Sequence, residues 1–179
     1  MGFAPEVATA EVLLRSPVFD VERLELVDDG QAFTREVVRH RGAVAILAVD
    51  GADVVLVRQW RAPLARPILE IPAGTCDVEG EDLVATAERE LEEEAGLHAS
   101  HLEVLCEVWN SPGWSDQRTV IYLATGLSPV PARPSGPEEE AIDVVRLSVD
   151  EAVAFVTSGA TCDACTAVAV LAYVGRSRS

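Results

Sequence analysis

The sequence predicts an α+β fold, an α/β/α sandwich around a mixed β-sheet, preceded by an N-terminal β-hairpin region. Strand-like runs bounded by Asp-Gly turns occupy the chain as far as Gln59, one segment of clear helical period follows at Glu81–Ala95, and strands then return ahead of two more helical stretches. The chain has 179 residues, of which 49% are hydrophobic and 25% charged. That is the size and balance of one packed domain, and it excludes a disordered or collagen-like chain.

The elements follow in order. Val18–Val27 and Ala32–Arg39 flank Asp28-Asp29-Gly30 and read as a hairpin, so residues 1–40 form an N-terminal strand region and residues 41–179 the main body of a single domain. Ala43–Val49 and Val54–Gln59 flank Asp50-Gly51, a pair that accepts the positive φ of a tight hairpin turn. Both runs are apolar at nearly every position, which predicts central strands covered on both faces. In Glu81–Ala95, Leu83, Val84, Ala87, Leu91 and Ala95 fall on one helical face, and Gly96 stands where a left-handed cap is wanted. Val104–Trp109, Thr119–Ala124 and Asp143–Leu147 read as strands. Ser128–Pro137, with four prolines and one glycine, reads as a loop. Ser148 and Glu151 have capping-box spacing, and a last helix is expected over Asp163–Tyr173.

Thirty acidic residues stand against 14 basic ones, all arginine, for a formal charge of −16. Such a surface repels the phosphates of a duplex, so no nucleic-acid partner is expected. It does not exclude a small anionic substrate, because divalent ions can bridge two sets of oxygens. Met1–Glu6 lacks the basic-then-apolar pattern of a secretory signal. Asp50 and Asp53 interrupt one apolar run, and the run ending at Val174 is too short to span a bilayer. A cytoplasmic protein with no membrane partner is expected. Cys162 and Cys165 make a lone C-x-x-C, read as small buried residues rather than half a metal site. Cys76, Cys106, His40, His98 and His101 show no ligand spacing.

Glu90, Glu93 and Glu94 stand at i, i+3 and i+4 of the predicted helix, with Glu92 alongside. They are expected on the face opposite the apolar stripe. They also crowd the helix C-terminus, where the macrodipole disfavours an anion by about 0.3–1 kcal/mol. Arg89 is one cation among four acids, and hard divalent ions, which take oxygen ligands, are suited to supply the missing charge. The competing reading is a solvated acidic face. The flanking pattern decides between them: Ile71-Pro72-Ala73-Gly74, then Glu81, then Arg89-Glu90-Leu91-Glu92-Glu93-Glu94-Ala95-Gly96-Leu97.

This segment resembles the Nudix box, the loop-helix-loop signature of hydrolases that cleave nucleoside diphosphates linked to another group. Glu81, Arg89, Glu90, Leu91, Glu93, Glu94, Gly96 and Leu97 fill its helical positions, and six residues separate Gly74 from Glu81, one more than in the family pattern. Val57–Arg61, Leu69–Gly74, Ser111-Pro112-Gly113 and the run Arg35–His40 leading into Gly42 are similar to the ADP-ribose pyrophosphatase branch. The resemblance covers about Val18 to Tyr173.

The resemblance implies a Nudix fold and a magnesium-dependent enzyme, with manganese able to substitute, that splits ADP-ribose into AMP and ribose 5-phosphate. Glu90 and Glu94 would ligate metal, with Glu93 a further ligand or a water contact and the Ala73 carbonyl a backbone ligand. Arg89 would orient the carboxylates, Glu81 would brace Arg89, and Gly74 and Gly96 would shape the box. A catalytic base is implied among Glu138, Glu139 and Glu140, with no choice between them. Arg58 and Arg61 suit phosphates or the terminal ribose, and Gln59, Glu70 and Gly113 complete the substrate set; an ion pair of Arg58 or Arg61 with Glu70 is the alternative. Trp60, Trp109, Trp114, Phe19 and Phe33 are candidates to stack on adenine or to serve as core or interface aromatics. A homodimer is implied, with the first forty residues contributing to the partner's site. Two rivals keep the same sequence features: hydrolysis of another nucleoside diphosphate sugar or dinucleotide, and a Nudix-fold sensor that binds without cleaving.

Overall fold

A computed structural model of the chain describes residues 3–132, 140–160 and 162–177. They form two compact units, one running up to Gly42 and including Trp109–Arg118, the other comprising Ala43–Val108 and the chain from Thr119 onward.

The first unit is an antiparallel sheet of three strands, β1 (Glu6–Arg15), β2 (Phe19–Asp28) and β3 (Gln31–His40), in that order. Asp28 pairs with Gln31 across the turn, and Asp29 and Gly30 both take positive φ, 47° and 78°. A two-residue turn of this hand matches the twist of the strands it joins, which is why Asp-Gly is found there. The expected hairpin is therefore present, but β1 extends it to three strands. Register shifts at Val7/Thr9 and Val12/Leu14 break the alternation of β1, so its apolar residues do not keep the period by which a strand is recognised. Residues 109–118 are fastened to the end of β3. The Val38 N–H donates to the Trp114 carbonyl at 2.8 Å, and the Asp116 carboxylate accepts from the His40 N–H at 2.8 Å and from Arg39 at 3.1 Å.

The second unit is built on a mixed sheet. β4 (Ala43–Asp50) and β5 (Asp53–Arg61) form the expected hairpin, with Gly51 at φ 65° in its turn. β8 (Leu97–Trp109), β9 (Arg118–Pro129) and β10 (Asp143–Ser148) complete the order β10-β5-β4-β9-β8, with β9 parallel to β4. Two short strands join it: β6 (Arg66–Glu70) pairs with β5 and β7 (Ala73–Thr75) with β4. Sequence period missed both, since five and three residues are too short to show alternation. β8 and β9 also run several residues beyond their expected ends.

The helices are α1 (Leu83–Ala95), α2 (Val149–Thr157) and α3 (Ala164–Ser177). Ser148 caps α2 in a reciprocal capping box with Glu151. β4 is buried on both faces: Val44, Ile46 and Ala48 pack with Ala87 and Leu91 of α1, while Ala45, Leu47 and Val49 pack with Ala152 of α2 and Ala169 and Val170 of α3. Helices thus cover opposite faces of one sheet. Cys165 is buried in the second of these clusters as a small apolar group, and all four cysteines are free thiols. Among the described residues, no helix is long and apolar enough to cross a membrane.

Leu47 has no solvent exposure. Replacing it with Ala removes buried methylenes and leaves a cavity, with an expected loss of about 2–5 kcal/mol in the unfolding free energy read by urea denaturation.

Candidate active site

Helix α1 sets the site. The Asp82 side chain accepts the Ala85 N–H at 2.8 Å to start the helix, and Gly96, at φ 62°, ends it by donating its N–H to the Glu92 carbonyl. Its inward residues are Thr86, Ala87, Glu90, Leu91 and Glu94. This corrects the expected face in two respects: Val84 is exposed, and Glu90 and Glu94 lie on the buried side beside Ala87 and Leu91 rather than opposite them. At 3.6 residues per turn, Glu90 and Glu94 stand only about 60° and about 20° around the helix from Ala87, so a face that buries Ala87 buries them as well.

Each inward carboxylate has a place made for it. Glu94 accepts the Ala73 N–H at 2.9 Å. The carboxyl group of Glu90 occupies the space beside Gly74 where a Cβ would otherwise stand, so any larger residue at 74 would collide with it. These two carboxylates are only 6% and 7% exposed, and a charge buried to that degree needs compensation.

Arg89 supplies the nearest part of it. One of its Nη groups donates to Glu90 at 2.7 Å and to Glu93 at 2.9 Å, while the other contacts Glu81 at 3.1 Å. Glu81 in turn accepts a hydrogen bond from the buried Thr86 hydroxyl at 2.9 Å. The bond to Glu81 holds the Arg89 guanidinium well above its usual pKa against the cost of burial, and Arg89 holds the Glu81 carboxyl below the ordinary range. Thr86 went unnoticed in the sequence because a threonine five residues past a glutamate carries no recognisable pattern.

A second ion pair lies on the β5–β6 hairpin. Arg61 makes two bonds to Glu70, at 2.8 and 2.9 Å. Burial works against its charge, but Glu70, Glu94 and Asp163 together raise its pKa. Arg61 and Glu70 are thus brought together, the ion-pair alternative of the sequence reading. Gln59 lies on the same face of β5 and is 5% exposed, and among the described residues its Oε1 has no hydrogen-bond partner. Strand alternation puts Arg58 on the other face, where it is exposed.

The other candidates lie elsewhere along the chain or outside the described residues. Gly113 lies in the first unit, in the exposed turn closed by the Trp114 N–H to the Ser111 carbonyl. Glu140 is exposed in a turn, and Glu138 and Glu139 lie outside the described residues. Trp60, Trp109 and Trp114 are each more than half exposed, so none is a core aromatic of its unit. Phe33 stacks with Phe3 at 6.0 Å and lies under the Arg35 guanidinium.

Glu81, Glu90, Glu93 and Glu94 surround Arg89 and Ala73, leaving negative charge in excess. The neighbouring Cys76 thiol registers it: burial, then Glu81, Glu90 and Asp77, push its pKa up. Among the described residues no three acidic, imidazole or thiol groups converge on one point, because Glu90 and Glu93 turn to Arg89 and Glu94 to the Ala73 amide. The donors nonetheless suit a hard divalent ion: every one is an oxygen, two are buried, and the sum of charge is negative.

Residues 38–162 match the NUDIX domain family. The chain belongs to that family. It is 41% identical over 151 residues to an ADP-ribose pyrophosphatase of Bacillus subtilis (strain 168), spanning 84% of this chain and 80% of that one. An ADP-ribose pyrophosphatase of Mycobacterium tuberculosis is 44% identical over 138 residues, 76% of this chain and 66% of that one. A methanol dehydrogenase activator of Bacillus methanolicus is 39% identical over 159 residues, 88% and 83% of the two chains. The crystal structure of an ADP compounds hydrolase shares the fold, with a TM-score of 0.84 over 97% of this chain and 94% of that one at 24% identity. As a Nudix hydrolase the chain has the α+β fold expected of it, and enzymes of this family generally need a divalent metal.

The Nudix segment offers a test of its own geometry. Gly74→Ala would drive the mobile end of Glu90 from its place while leaving the backbone of β7 undisturbed. The expected outcome is a drop in activity of at least about tenfold, on the scale of a disturbed metal ligand, with a thermal midpoint near that of the wild type. Parallel turnover and melting measurements check it.

Proposed function

We propose that this Nudix chain hydrolyses the pyrophosphate of ADP-ribose to AMP and ribose 5-phosphate, using magnesium, with manganese able to substitute. The observation that carries the reading is the pair of buried carboxylates, Glu90 and Glu94, closed against Gly74 and Ala73, in a chain similar over most of its length to ADP-ribose pyrophosphatases.

In this reading Glu90, Glu94 and the Ala73 carbonyl hold the ions, and Glu93 is a further ligand or holds the attacking water. Bound ions would neutralise the diphosphate oxygens and lower the pKa of that water. Arg89, braced by Glu81, fixes where Glu90 and Glu93 point. Gly74 leaves room for Glu90, and Gly96 turns the chain out of the helix.

Arg61 and Glu70 serve substrate recognition as a pair. An incoming phosphate competes with Glu70 for the guanidinium fork, while Gln59 offers a buried acceptor to a hydroxyl or amine. Arg58 and Gly113 complete the substrate set, and the base comes from Glu138, Glu139 or Glu140. The first forty residues serve a homodimer. In favour of this, all ten residues of β1 are exposed and Leu24 is the one buried hydrophobic of the three strands, too little core for a small sheet left uncovered. Free cysteines accord with a cytoplasmic protein, and the formal charge of −16 argues against a nucleic-acid partner.

Purified enzyme is expected to release AMP from ADP-ribose in magnesium faster than it cleaves other nucleoside diphosphate sugars or dinucleotides. Equal rates across such a panel would defeat the choice of substrate. Glu94→Gln, which keeps size and loses charge, is expected to slow turnover by at least about a hundredfold. Near-normal turnover would remove Glu94 from the metal site. Light scattering is expected to give the mass of two chains.

A further inference from the structure

The link between β6 and β7 runs through the protein interior. β6 ends at Glu70 and β7 begins at Ala73, so Ile71 and Pro72 lie between ladders. Ile71 is 1% exposed, and a buried N–H away from a ladder has to find an acceptor. Pro72 has no N–H to offer. The whole donor capacity of this crossing is therefore the Ile71 amide.

It donates to the Thr166 hydroxyl at 2.9 Å, across 95 residues of sequence. Thr166 is completely buried in the first turn of α3. Its own position is fixed, because the Asp163 carboxylate accepts the N–H groups of Cys165 at 2.8 Å and Thr166 at 3.0 Å and so caps the helix. The next two residues of the crossing are anchored elsewhere. The Pro72 carbonyl accepts the Ile46 N–H of β4 at 2.8 Å, and the Ala73 N–H donates to Glu94 of α1 at 2.9 Å. Three successive residues are thus tied to three different elements, and with the peptide entering Ala73 held at both its carbonyl and its N–H, the Ala73 residue from which the next carbonyl projects is itself fixed in place.

We propose that Thr166 is a positioning residue of the metal site: by holding the Ile71 amide it fixes the aim of the Ala73 carbonyl. The proposal rests on the reading that Ala73 and Glu94 hold metal. Threonine suits the position because its oxygen meets the amide while its methyl packs in the core. Valine has the same shape and no acceptor; serine has the acceptor without the methyl.

The test is a titration with manganese in the absence of substrate, following free ion by electron paramagnetic resonance in wild type, Thr166→Val, Thr166→Ala and Thr166→Ser. Loss of the hydroxyl is expected to weaken manganese binding about 10- to 100-fold. Thr166→Ser is expected to stay near the wild type even if its melting point falls, a separation that a merely structural role would not produce. Hydrogen exchange at the Ala73 amide is expected to quicken in the valine variant while the Leu47 amide keeps its protection. Should Thr166→Val be unable to fold, Thr166→Ala decides by the same readouts. A folded variant lacking the hydroxyl that binds manganese as the wild type does, or a serine variant that fails to restore binding, overturns the proposal. Wild type that binds no manganese would overturn the metal reading with it. Failure to cleave ADP-ribose would leave this result untouched, since no nucleotide enters the titration.

Discussion

Negative charge held on the buried side of a helix is the constraint around which the second unit is arranged. An amphipathic helix ordinarily turns its acids to water, where solvation costs nothing. Here Glu90 and Glu94 face inward beside Ala87 and Leu91, and the surrounding structure answers that burial. Arg89 reaches back over Glu90 and Glu93, Glu81 closes on Arg89 from before the helix, and Thr86 donates to Glu81. Glycine at position 74 leaves the volume that the Glu90 carboxylate fills. A single guanidinium cannot balance four carboxylates, and the excess is what an ion-bridged diphosphate would meet.

The sheet supplies the rigidity that such a cluster requires. β4 is covered by helices on both faces, and the crossing between β6 and β7 is tied to it through the Pro72 carbonyl. Groups on α1 and on the loop are thereby held by elements that do not themselves move when a side chain changes rotamer. Sites built on packed strands and helices hold geometry better than sites on free loops. Gly113 and Glu140 are of the other kind, each exposed in a turn outside the packed strands.

How much of this was legible in the sequence depends on the range of the interaction involved. Local rules located the turn at Asp29-Gly30, the hairpin at Gly51, the Ser148 cap and the left-handed Gly96, because each is decided by residues within one turn of chain. The alignment of Arg89 with Glu93 is likewise a matter of helical spacing. What escaped was non-local. The inward turn of Glu90 depends on Gly74, sixteen positions earlier, and the apolar count alone put Val84 on the inner face, where the packed helix leaves it outside. β1 escaped for another reason, since two register shifts erased its alternation. Thr166 carries no signal at all in a sequence, as one threonine in an apolar helix looks like any other until the loop it serves is seen beside it.

In the proposed reading, the Arg61–Glu70 pair would connect substrate recognition to the carboxylate cluster. Arg61 makes two bonds to Glu70 and also lies in the field of Glu94 and Asp163. A phosphate that takes the guanidinium leaves the Glu70 carboxylate, 5% exposed, without its partner, and an unpaired buried charge is costly. Binding there would therefore favour a ligand that offsets both losses, an anion for Arg61 and a donor or bridging cation for Glu70. Inorganic phosphate satisfies the first need alone. A nucleoside diphosphate carrying a sugar, with its hydroxyls and accompanying metal, would satisfy both, and Gln59, with its buried Oε1, on the same face of β5 as Arg61, would take one more donor. In that reading, selectivity for a sugar-bearing diphosphate would follow from the exchange of one ion pair for several bonds, with no requirement that any single contact be strong.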